Sequence, residues 1–274
     1  MGPKIIEHFL MNKHLVTVFN RGSHIAKLPL DKINFIKGNR EIGFGIKERF
    51  DAVVDICAYN GIHTGRALKE LSFDYFLHIS TVAVYKKPTI LPLQEDTSPI
   101  GPWPEWGSYG AGKLESENVL AQSGARYGVL RPVYVLGPHN NCDRERFIYN
   151  NIKRRQKLFL PANGETVAQF TFVENIAEAT VLLVQKQKAG IFNCCGDEII
   201  TMRGLVTKMA EIVEEKPLLE FNCGINSCSE KNTFPFADIS FVCDNTKIKS
   251  LGLKFTPLLD GLKRDFINHY KYAL

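Results

Sequence analysis

The chain has 274 residues, of which 45% are hydrophobic and 23% charged, and its formal net charge is +5, so it can bury a sizeable core of its own. No stretch is apolar over the roughly 18 to 20 residues that span a bilayer, and the first residues do not have the succession of a signal peptide, so we expect a cytoplasmic protein without membrane contact. Seven cysteines, an odd number, favour free thiols over a disulfide framework, and the spacing of the cysteines and histidines predicts no metal site.

Helical and strand patterns alternate along most of the chain. A helix begins almost at the first residue, near 3–12, and the apolar strand LVTVF follows it at 15–19. Because the strand runs are apolar on both faces and helices separate them, they predict a parallel sheet that is covered on both sides. The predicted fold class is α/β, a doubly wound, Rossmann-like sheet with a smaller C-terminal substrate-binding region. Further strands are expected at 33–36, 52–58, 75–80, 127–132 and 190–195, and further helices near 61–72, 108–124 and 174–187.

The pattern changes near residue 137, which divides the chain into regions 1–137 and 138–274. The segments 139–166 and 217–240 consist of loop and helix with little predicted strand. Open α/β sheets bind ligands beyond the carboxyl ends of their strands, so we expect these two segments to shape a substrate pocket there.

A basic cluster lies in the sequence IKRRQK, within the second region. It could contact a phosphate or a nucleic acid, although such a run is more often the solvated face of a helix. Its members are Lys153, Arg154, Arg155 and Lys157.

Tyr109 and Lys113 in SYGAGKLESENVL are four residues apart on a predicted helix and therefore share a face. A lysine beside a tyrosine favours the phenolate, and a phenolate at a carbonyl or alcohol can pass a proton while a nicotinamide passes a hydride. The spacing alone is weak, since Tyr149 and Lys153 show it too.

The position of a neighbouring strand distinguishes the Tyr109 pair. The strand that ends in FLHISTVAVY places the hydroxyls of Ser80 and Thr81 at the carboxyl end of the sheet. A hydroxyl at that place can hydrogen-bond the same substrate oxygen that Tyr109 protonates.

These pieces resemble the extended short-chain dehydrogenase/reductase family, the NAD(P)-dependent epimerases, dehydratases and reductases, over nearly the whole chain and in that family's order. VTVFNRG resembles the second strand, DAVVDICAYNG the fourth, HISTVAVY the serine or threonine strand, and YGAGK the catalytic helix. LRPVYVLGP resembles the sixth strand, FTFVENIAEA a following helix start, and DNTKIKSLGLKFTPLLDGLKRDFINHY the C-terminal helix pair. The resemblance implies that region 1–137 is the dinucleotide-binding domain and that region 138–274 carries substrate-binding insertions with returning sheet and helix elements.

The resemblance also implies a role for individual residues. Thr81 would hydrogen-bond the substrate, Tyr109 would be the general acid/base, and Lys113 would lower the Tyr109 pKa and hold the nicotinamide ribose. The residues that would line the cofactor are Cys57, Ala58 and Tyr59 after the fourth strand, and Pro132 and Val135 along the nicotinamide.

The end of the second strand bears on the choice of cofactor. Family members that use NAD usually have an acid there, which grips the ribose hydroxyls. Here that position holds Asn20, with Arg21 next, and a neutral residue beside a guanidinium suits a 2′-phosphate. The sequence therefore favours NADP, with NAD left open.

Two further departures concern the substrate. Sugar-nucleotide 4,6-dehydratases follow the threonine with an Asp-Glu pair, whereas Val82 and Ala83 follow it here, which disfavours that dehydration. Many nucleotide-sugar enzymes place an arginine that meets a diphosphate where this chain has Ala168 and Gln169. A nucleotide sugar is therefore one candidate within a broader sugar-like class.

The largest departure lies at the beginning of the sequence. In the family a strand and a GxxGxxG turn precede the first helix, and here only Gly2 corresponds to that motif. Without that strand, its two neighbours would stand about 9 to 10 Å apart instead of about 4.8 Å, with unpaired backbone groups between them. We expect the natural protein to begin roughly 11 to 15 residues earlier, or the chain to be a decayed copy.

The leading hypothesis is an NAD(P)-dependent oxidoreductase or epimerase that acts on a hydroxyl or keto carbon of a sugar-like substrate. The chain also resembles the chloroplast stem-loop RNA-binding branch of the same family, so a non-catalytic protein that binds RNA or another ligand is the alternative, with an inactive truncated copy as a third. Nucleic acid is the less expected partner. A homodimer through helices 61–72 and 108–124 is expected by analogy with the family.

Overall fold

The first elements are the helix α1 (Gly2–Met11) and two parallel strands, β1 (Thr17–Asn20) and β2 (Asn34–Lys37). The computed structural model describes residues 1–23, 28–87, 90–101, 107–138, 142, 144–222 and 234–272. Among these residues, no helix combines the length and the apolar character needed to cross a membrane.

The central elements alternate as the sequence predicts. In chain order they are β3 (Arg49–Asp55), α2 (Gly61–Glu70), β4 (Ser72–Ile79), α3 (Gly107–Gln122) and β5 (Tyr127–Pro132).

The second region contributes β6 (Tyr134–Leu136), α4 (Arg144–Lys153), β7 (Lys157–Pro161), β8 (Val167–Ala168), β9 (Phe170–Phe172), α5 (Val173–Gln185) and β10 (Gly190–Cys194). It continues with β11 (Ile200–Thr201), α6 (Met202–Val213), β12 (Leu218–Asn222), α7 (Thr246–Lys249) and α8 (Leu258–Asp265). A π-helical turn, Phe266–Tyr270, extends α8.

The parallel sheet is divided in two. One part has the strand order β10-β5-β4-β3 and the other consists of β1 and β2. Within the described residues, β1 pairs only with β2, and β3 pairs only with β4. The division falls between the two strands that would flank the strand missing from the sequence resemblance.

Helices cover both faces of the four-stranded part. On one face, α1 and α5 pack against each other and against the sheet, with Ile5, Phe9 and Ile176 in one buried cluster with Leu77 of β4. On the other face, α2 and α3 cover a smaller cluster that includes Phe76. Side chains therefore alternate between two buried faces along β4, as in a doubly wound sheet.

The second region contains more strand than the sequence analysis expects. β6 pairs with β9 and β7 with β12 in parallel, while β8 pairs with β11 antiparallel. These strands have two to five residues each and their partners lie far away in the chain, so a local periodicity does not reveal them. Residues 139–141, 143 and 223–233 of the two expected pocket segments lie outside the described residues, and the division at residue 137 stays a prediction.

Candidate active site

Thr81 lies just beyond the carboxyl end of β4, where it caps a 3₁₀ turn, Val82–Val84. Its Oγ1 accepts a hydrogen bond from the backbone N–H of Ala83 at 3.2 Å. The hydroxyl of the preceding Ser80 is turned inward and donates to a carboxylate of Glu117. The sequence places two hydroxyls at this edge. That of Ser80 is buried and bonded to Glu117, so that of Thr81 is the one that a ligand can reach.

Tyr109 stands in the first turn of α3 and is 43% exposed. Burial of its hydroxyl raises the Tyr109 pKa above its usual value, while the hydrogen bond with Thr81 and the positive charge of Arg144 act to lower it. The structure therefore brings together the two hydroxyls that the sequence predicts to share a substrate oxygen.

Lys113 lies one turn further along α3 and is only 3% exposed. Its Nζ donates to the backbone carbonyl of Ile79 at 2.7 Å and lies 5.7 Å from the ring centre of Tyr59. Burial lowers the Lys113 pKa to about 8, against the raising effect of Asp55. Besides burial, the main groups that shift the Tyr109 pKa here are Thr81, Tyr59, Arg144 and Cys142, so the expected effect of Lys113 on that pKa stays a prediction.

A buried ion pair fixes α3 on the sheet. Glu117, four residues after Lys113, accepts hydrogen bonds from Arg131 of β5, whose Nε lies 3.0 Å from Oε1. The Arg131 guanidinium also lies 4.6 Å from the ring centre of Tyr85, just after the Thr81 turn. Because all of these groups are buried, the pair sets the position of the helix that carries Tyr109 and Lys113.

The loop after β3 is held by a second ion pair. Asp55 accepts hydrogen bonds from the backbone N–H of Cys57 at 3.1 Å and of Ala58 at 3.0 Å. Arg40, which follows β2, donates to both carboxylate oxygens of Asp55, at 2.8 and 2.7 Å. Tyr59 is 55% exposed. This loop lies next to Lys113.

Helix α3 approaches this loop so closely that one position requires glycine. A β-carbon built on Gly112 would lie 2.0 Å from the carbonyl oxygen of Tyr59. The glycine before Lys113 in YGAGK therefore permits the contact between α3 and the loop.

Of the residues expected at the far end of the cofactor, Asn20 and Arg21 lie at the end of β1 in the smaller part of the sheet, and Gly2 lies at the start of α1. Asn20 uses its Oδ1 to accept the backbone N–H of Gly22 at 2.7 Å, and Arg21 is exposed. Gly2 begins α1, and no atom lies within 4 Å of the position that its β-carbon would take. The preference for NADP stays a prediction.

The remaining expected cofactor residues are Pro132, the last residue of β5, and Val135 in β6. Pro132 is buried and Val135 half-buried, packed at the edge of the cluster beneath α5. Their contact with a nicotinamide stays a prediction.

The second Tyr–Lys pair of the sequence is structural. Tyr149 is completely buried, its hydroxyl lies 3.5 Å from the carbonyl of Leu262, and its ring packs 4.9 Å from that of Phe266, while Lys153 is exposed. Tyr149 therefore has a core role, whereas the tyrosine of the Tyr109 pair is partly exposed.

Gln169 is structural as well. Its amide donates to the carbonyl of Gly196 at 2.9 Å and accepts the N–H of Cys243 at 2.7 Å. The side chain is buried, and both ends of the amide are engaged, so it does not replace the diphosphate-binding arginine of related enzymes. Within the described residues, no three His, Cys, Asp or Glu side chains are arranged to hold a metal ion.

Sequence reasoning missed Arg144, whose charge acts on Tyr109, and the pair of Glu117 and Arg131. Glu117 carried a signal, because it follows Lys113 by four residues and so shares its inward face. No sequence pattern pointed to Arg144, because its position depends on contacts with Tyr134 and Phe236, which belong to separate segments of the chain.

Known proteins resemble this chain in sequence and in fold. A model of the NAD dependent epimerase/dehydratase family matches residues 45–195. The chain belongs to that family. Among curated proteins, this epimerase/dehydratase family member is 30% identical to the chloroplast stem-loop binding protein of 41 kDa b from Arabidopsis thaliana, over 91% of this chain and 71% of the relative. It is 26% identical to UDP-glucuronic acid decarboxylase 1 from the same plant, over 53% of this chain and 35% of that relative.

Solved structures of family enzymes share the fold. The Bordetella bronchiseptica enzyme WbmG in complex with NAD superposes with a TM-score of 0.78 at 21% identity, over 99% of this chain and 91% of the other. UDP-glucose 4-epimerase from Thermotoga maritima with UDP-glucose gives 0.77 at 17% identity, over 100% and 96%. At these identities the family member shares their architecture, a Rossmann-like sheet with a C-terminal region, which confirms the predicted fold class.

Proposed function

We propose that this family member is a nicotinamide-dependent oxidoreductase or epimerase that acts on a hydroxyl or keto carbon of a sugar-like substrate. The observation that carries the proposal is the proximity of the Thr81 hydroxyl, at the carboxyl end of β4, to the Tyr109 hydroxyl, whose pKa it acts to lower, with the buried Lys113 one turn along the same helix. Thr81 orients the substrate oxygen, and Tyr109 exchanges a proton with it.

The residues around Lys113 fit the ribose end of NADP or NAD. The ammonium has three N–H donors, of which one reaches the Ile79 carbonyl, so two remain for ribose hydroxyls. Cys57 and Tyr59 would line the cofactor, and Arg21 would meet a 2′-phosphate. When bound, the dinucleotide supplies the hydride acceptor and donor that the side chains lack. Structural relatives that carry NAD support this assignment.

The substrate is best described at the level of its class. Relatives in complex with UDP-glucose or UDP support a nucleotide sugar as a candidate. Gln169 stands where related enzymes have a diphosphate-binding arginine, but both ends of its amide are bonded within the protein. A diphosphate would therefore be held by other residues. The buried Val82 and Ala83 leave no acid next to Thr81 for a dehydration.

The test is the substitution Tyr109→Phe. The protein is incubated with NAD or NADP and with UDP-glucose or UDP-glucuronic acid, and the products are followed by NMR. We expect kcat to fall by about 10²- to 10⁴-fold, because the general acid/base is lost, with dinucleotide binding retained.

Tyr149→Phe is the matched control, since it removes a buried hydroxyl of the second Tyr–Lys pair and should leave turnover unchanged. Equal turnover of Tyr109→Phe and wild type would contradict the mechanism. Failure of the wild-type protein to bind either dinucleotide would contradict the proposal as a whole.

A second candidate function is RNA binding, which the similarity to a chloroplast stem-loop binding protein favours. The basic cluster is partly neutralised, because Arg155 pairs with Glu215 at 3.2 Å and Lys157 with Glu220. Affinity for an RNA hairpin that falls steeply with salt, and falls further when Lys153 and Arg154 are replaced by alanine, would support this function. The absence of such binding would exclude it.

Homodimerisation stays a prediction. Helices α2 and α3 pack against each other, and Ile62 of α2 is 74% exposed on their outer side. Light scattering of the purified protein would give its mass in solution. A cytoplasmic location is also a prediction, and the plant relative is chloroplastic by name.

A further inference from the structure

Arg144, the first residue of α4, packs against two aromatic rings, which also contact each other with their centres 4.9 Å apart. Its guanidinium carbon lies 5.3 Å from the ring centre of Tyr134 and 5.4 Å from that of Phe236. Its Nε donates to the backbone carbonyl of Pro235 at 3.2 Å. The rings come from β6 and from a segment almost a hundred residues further on, so the packing of the second region fixes the plane of the guanidinium.

Two nitrogen atoms of the Arg144 guanidinium are not engaged by the described residues. Its two terminal amino groups donate to no atom of the described residues, and no carboxylate of those residues forms an ion pair with it. By contrast, Arg40 is paired with Asp55 and Arg131 with Glu117. A half-buried arginine whose guanidinium is held in one orientation and is not paired with a carboxylate of the described residues can bind a carboxylate or phosphate through two parallel hydrogen bonds.

The Arg144 guanidinium lies at the edge of the sheet formed by the carboxyl ends of its strands, where Thr81 also lies. β6 continues directly from the carboxyl end of β5, which is the neighbour of β4, and Thr81 follows the carboxyl end of β4. Arg144 comes after β6 at this same edge. It is near enough to Tyr109 for its charge to lower the pKa of that hydroxyl. Its position in the first turn of α4 places it at the positive end of a helix dipole, which an anion would offset.

We propose that Arg144 binds an anionic group, a carboxylate or a phosphate ester, that the substrate carries close to the carbon whose oxygen faces Tyr109. The assignment deepens the proposed function: among sugar-like substrates it selects those with a charged ring substituent over neutral sugars.

The experiment measures binding, so it does not depend on turnover. Dissociation constants are determined by NMR titration for two pairs of ligands, UDP-glucuronic acid against UDP-glucose and glucose 6-phosphate against glucose. For wild-type protein we expect the charged member of at least one pair to bind about 10- to 100-fold more tightly, the range of a hydrogen-bonded charge pair. The pair that shows the larger ratio identifies carboxylate or phosphate ester as the preferred group.

Arg144→Met should bring the affinities of the charged and neutral ligands to the same value while leaving UDP-glucose binding unchanged, because methionine can still pack against the two rings. Arg144→Lys, which keeps the charge without the planar guanidinium, should recover only part of the ratio. Arg203→Met is the matched control. Arg203 also stacks on a ring, that of Phe221 at 5.0 Å, but it is already paired with Glu165 at 2.6 Å, so its loss should leave the ratio intact.

Two results would overturn the assignment. One is that wild-type protein binds neither charged ligand more tightly than its neutral counterpart. The other is that Arg144→Met weakens UDP-glucose as much as UDP-glucuronic acid, which would place the contact at the diphosphate. Since Tyr109→Phe tests turnover and these titrations test binding, failure of the proposed chemistry and failure of the anion site are separate outcomes.

Discussion

Glu145 is a carboxyl group buried in the first turn of α4, with 2% of its surface exposed. Its Oε1 accepts the backbone N–H of Gly137 and lies 3.3 Å from the hydroxyl of Tyr270, which belongs to the C-terminal turn. Burial, with a smaller contribution from the nearby Asp265 carboxylate, raises the Glu145 pKa to about 7. The group therefore ties the loop after β6 to the C-terminal turn, and its burial favours the neutral form of the carboxyl group.

This pKa predicts a pH dependence of stability. A carboxyl group with a raised folded-state pKa binds more protons in the folded chain than in the unfolded one between about pH 4.5 and 7, so its stabilising effect is lost as the pH rises through that window. We expect the free energy of unfolding of wild type, relative to Glu145→Gln, to fall by up to about 3 kcal/mol between pH 5 and 8. Urea unfolding at several pH values measures this difference.

Glu48→Gln provides the control, since Glu48 is exposed and should show no such change. A difference between wild type and Glu145→Gln that is the same at pH 5 and pH 8 would contradict the prediction.

At the scale of elements, the contact between α3 and the loop after β3 depends on the absence of a side chain at Gly112. Gly65, in the middle of α2, offers a comparison, because the nearest atom to its added β-carbon is a methyl group of Val119 at 3.9 Å. The two glycines lie on neighbouring helices, but only one of them is required by packing.

We therefore expect opposite effects of the same substitution. Gly112→Ala forces the Tyr59 carbonyl away and should destabilise the protein by about 1 to 3 kcal/mol, with reduced turnover because Lys113 moves with α3. Gly65→Ala should stabilise it by up to about 1 kcal/mol, the gain of alanine over glycine within a helix. Thermal and urea unfolding of both variants decide the matter, and an equal effect of the two would contradict the packing role of Gly112.

The sequence predicted the helices and strands of the sheet well, because each has a clear apolar period and is bounded by turn residues. β5 at 127–132 agrees to the residue, and α3 and α5 begin one residue before the expected positions. The short strands of the second region escaped prediction, since β8 and β11 have two residues each and depend on a partner that is distant in the chain.

At the scale of the whole molecule, the division of the sheet predicts unequal protection of the backbone. β4 is paired on both sides and its last five residues are buried, whereas β1 is paired on one side and all four of its residues are half-buried. We expect amide hydrogens of β1 and β2 to exchange with solvent much faster than those of β4 and β5, because local opening of the smaller part costs less free energy. Hydrogen exchange followed by mass spectrometry measures this. Equal protection of the two parts would show that the sheet behaves as one unit.

The site was predictable to the extent that it follows from positions along single elements. Thr81, Tyr109 and Lys113 could be found because a strand end and a helix face fix them. Arg144 and the pairing of Arg131 with Glu117 could not, because they depend on which distant segments meet in three dimensions. Family membership adds the fold but does not supply these contacts.

The ion pair of Arg40 and Asp55 joins the two parts of the sheet, since Arg40 follows β2 and Asp55 ends β3. Asp55 also holds the backbone of Cys57 and Ala58. A change in the separation of the two parts is thus transmitted through one carboxylate to the loop beside Lys113. An extended ligand laid across this edge would contact both parts of the sheet. Binding at the smaller part would therefore change the position of the loop beside Lys113.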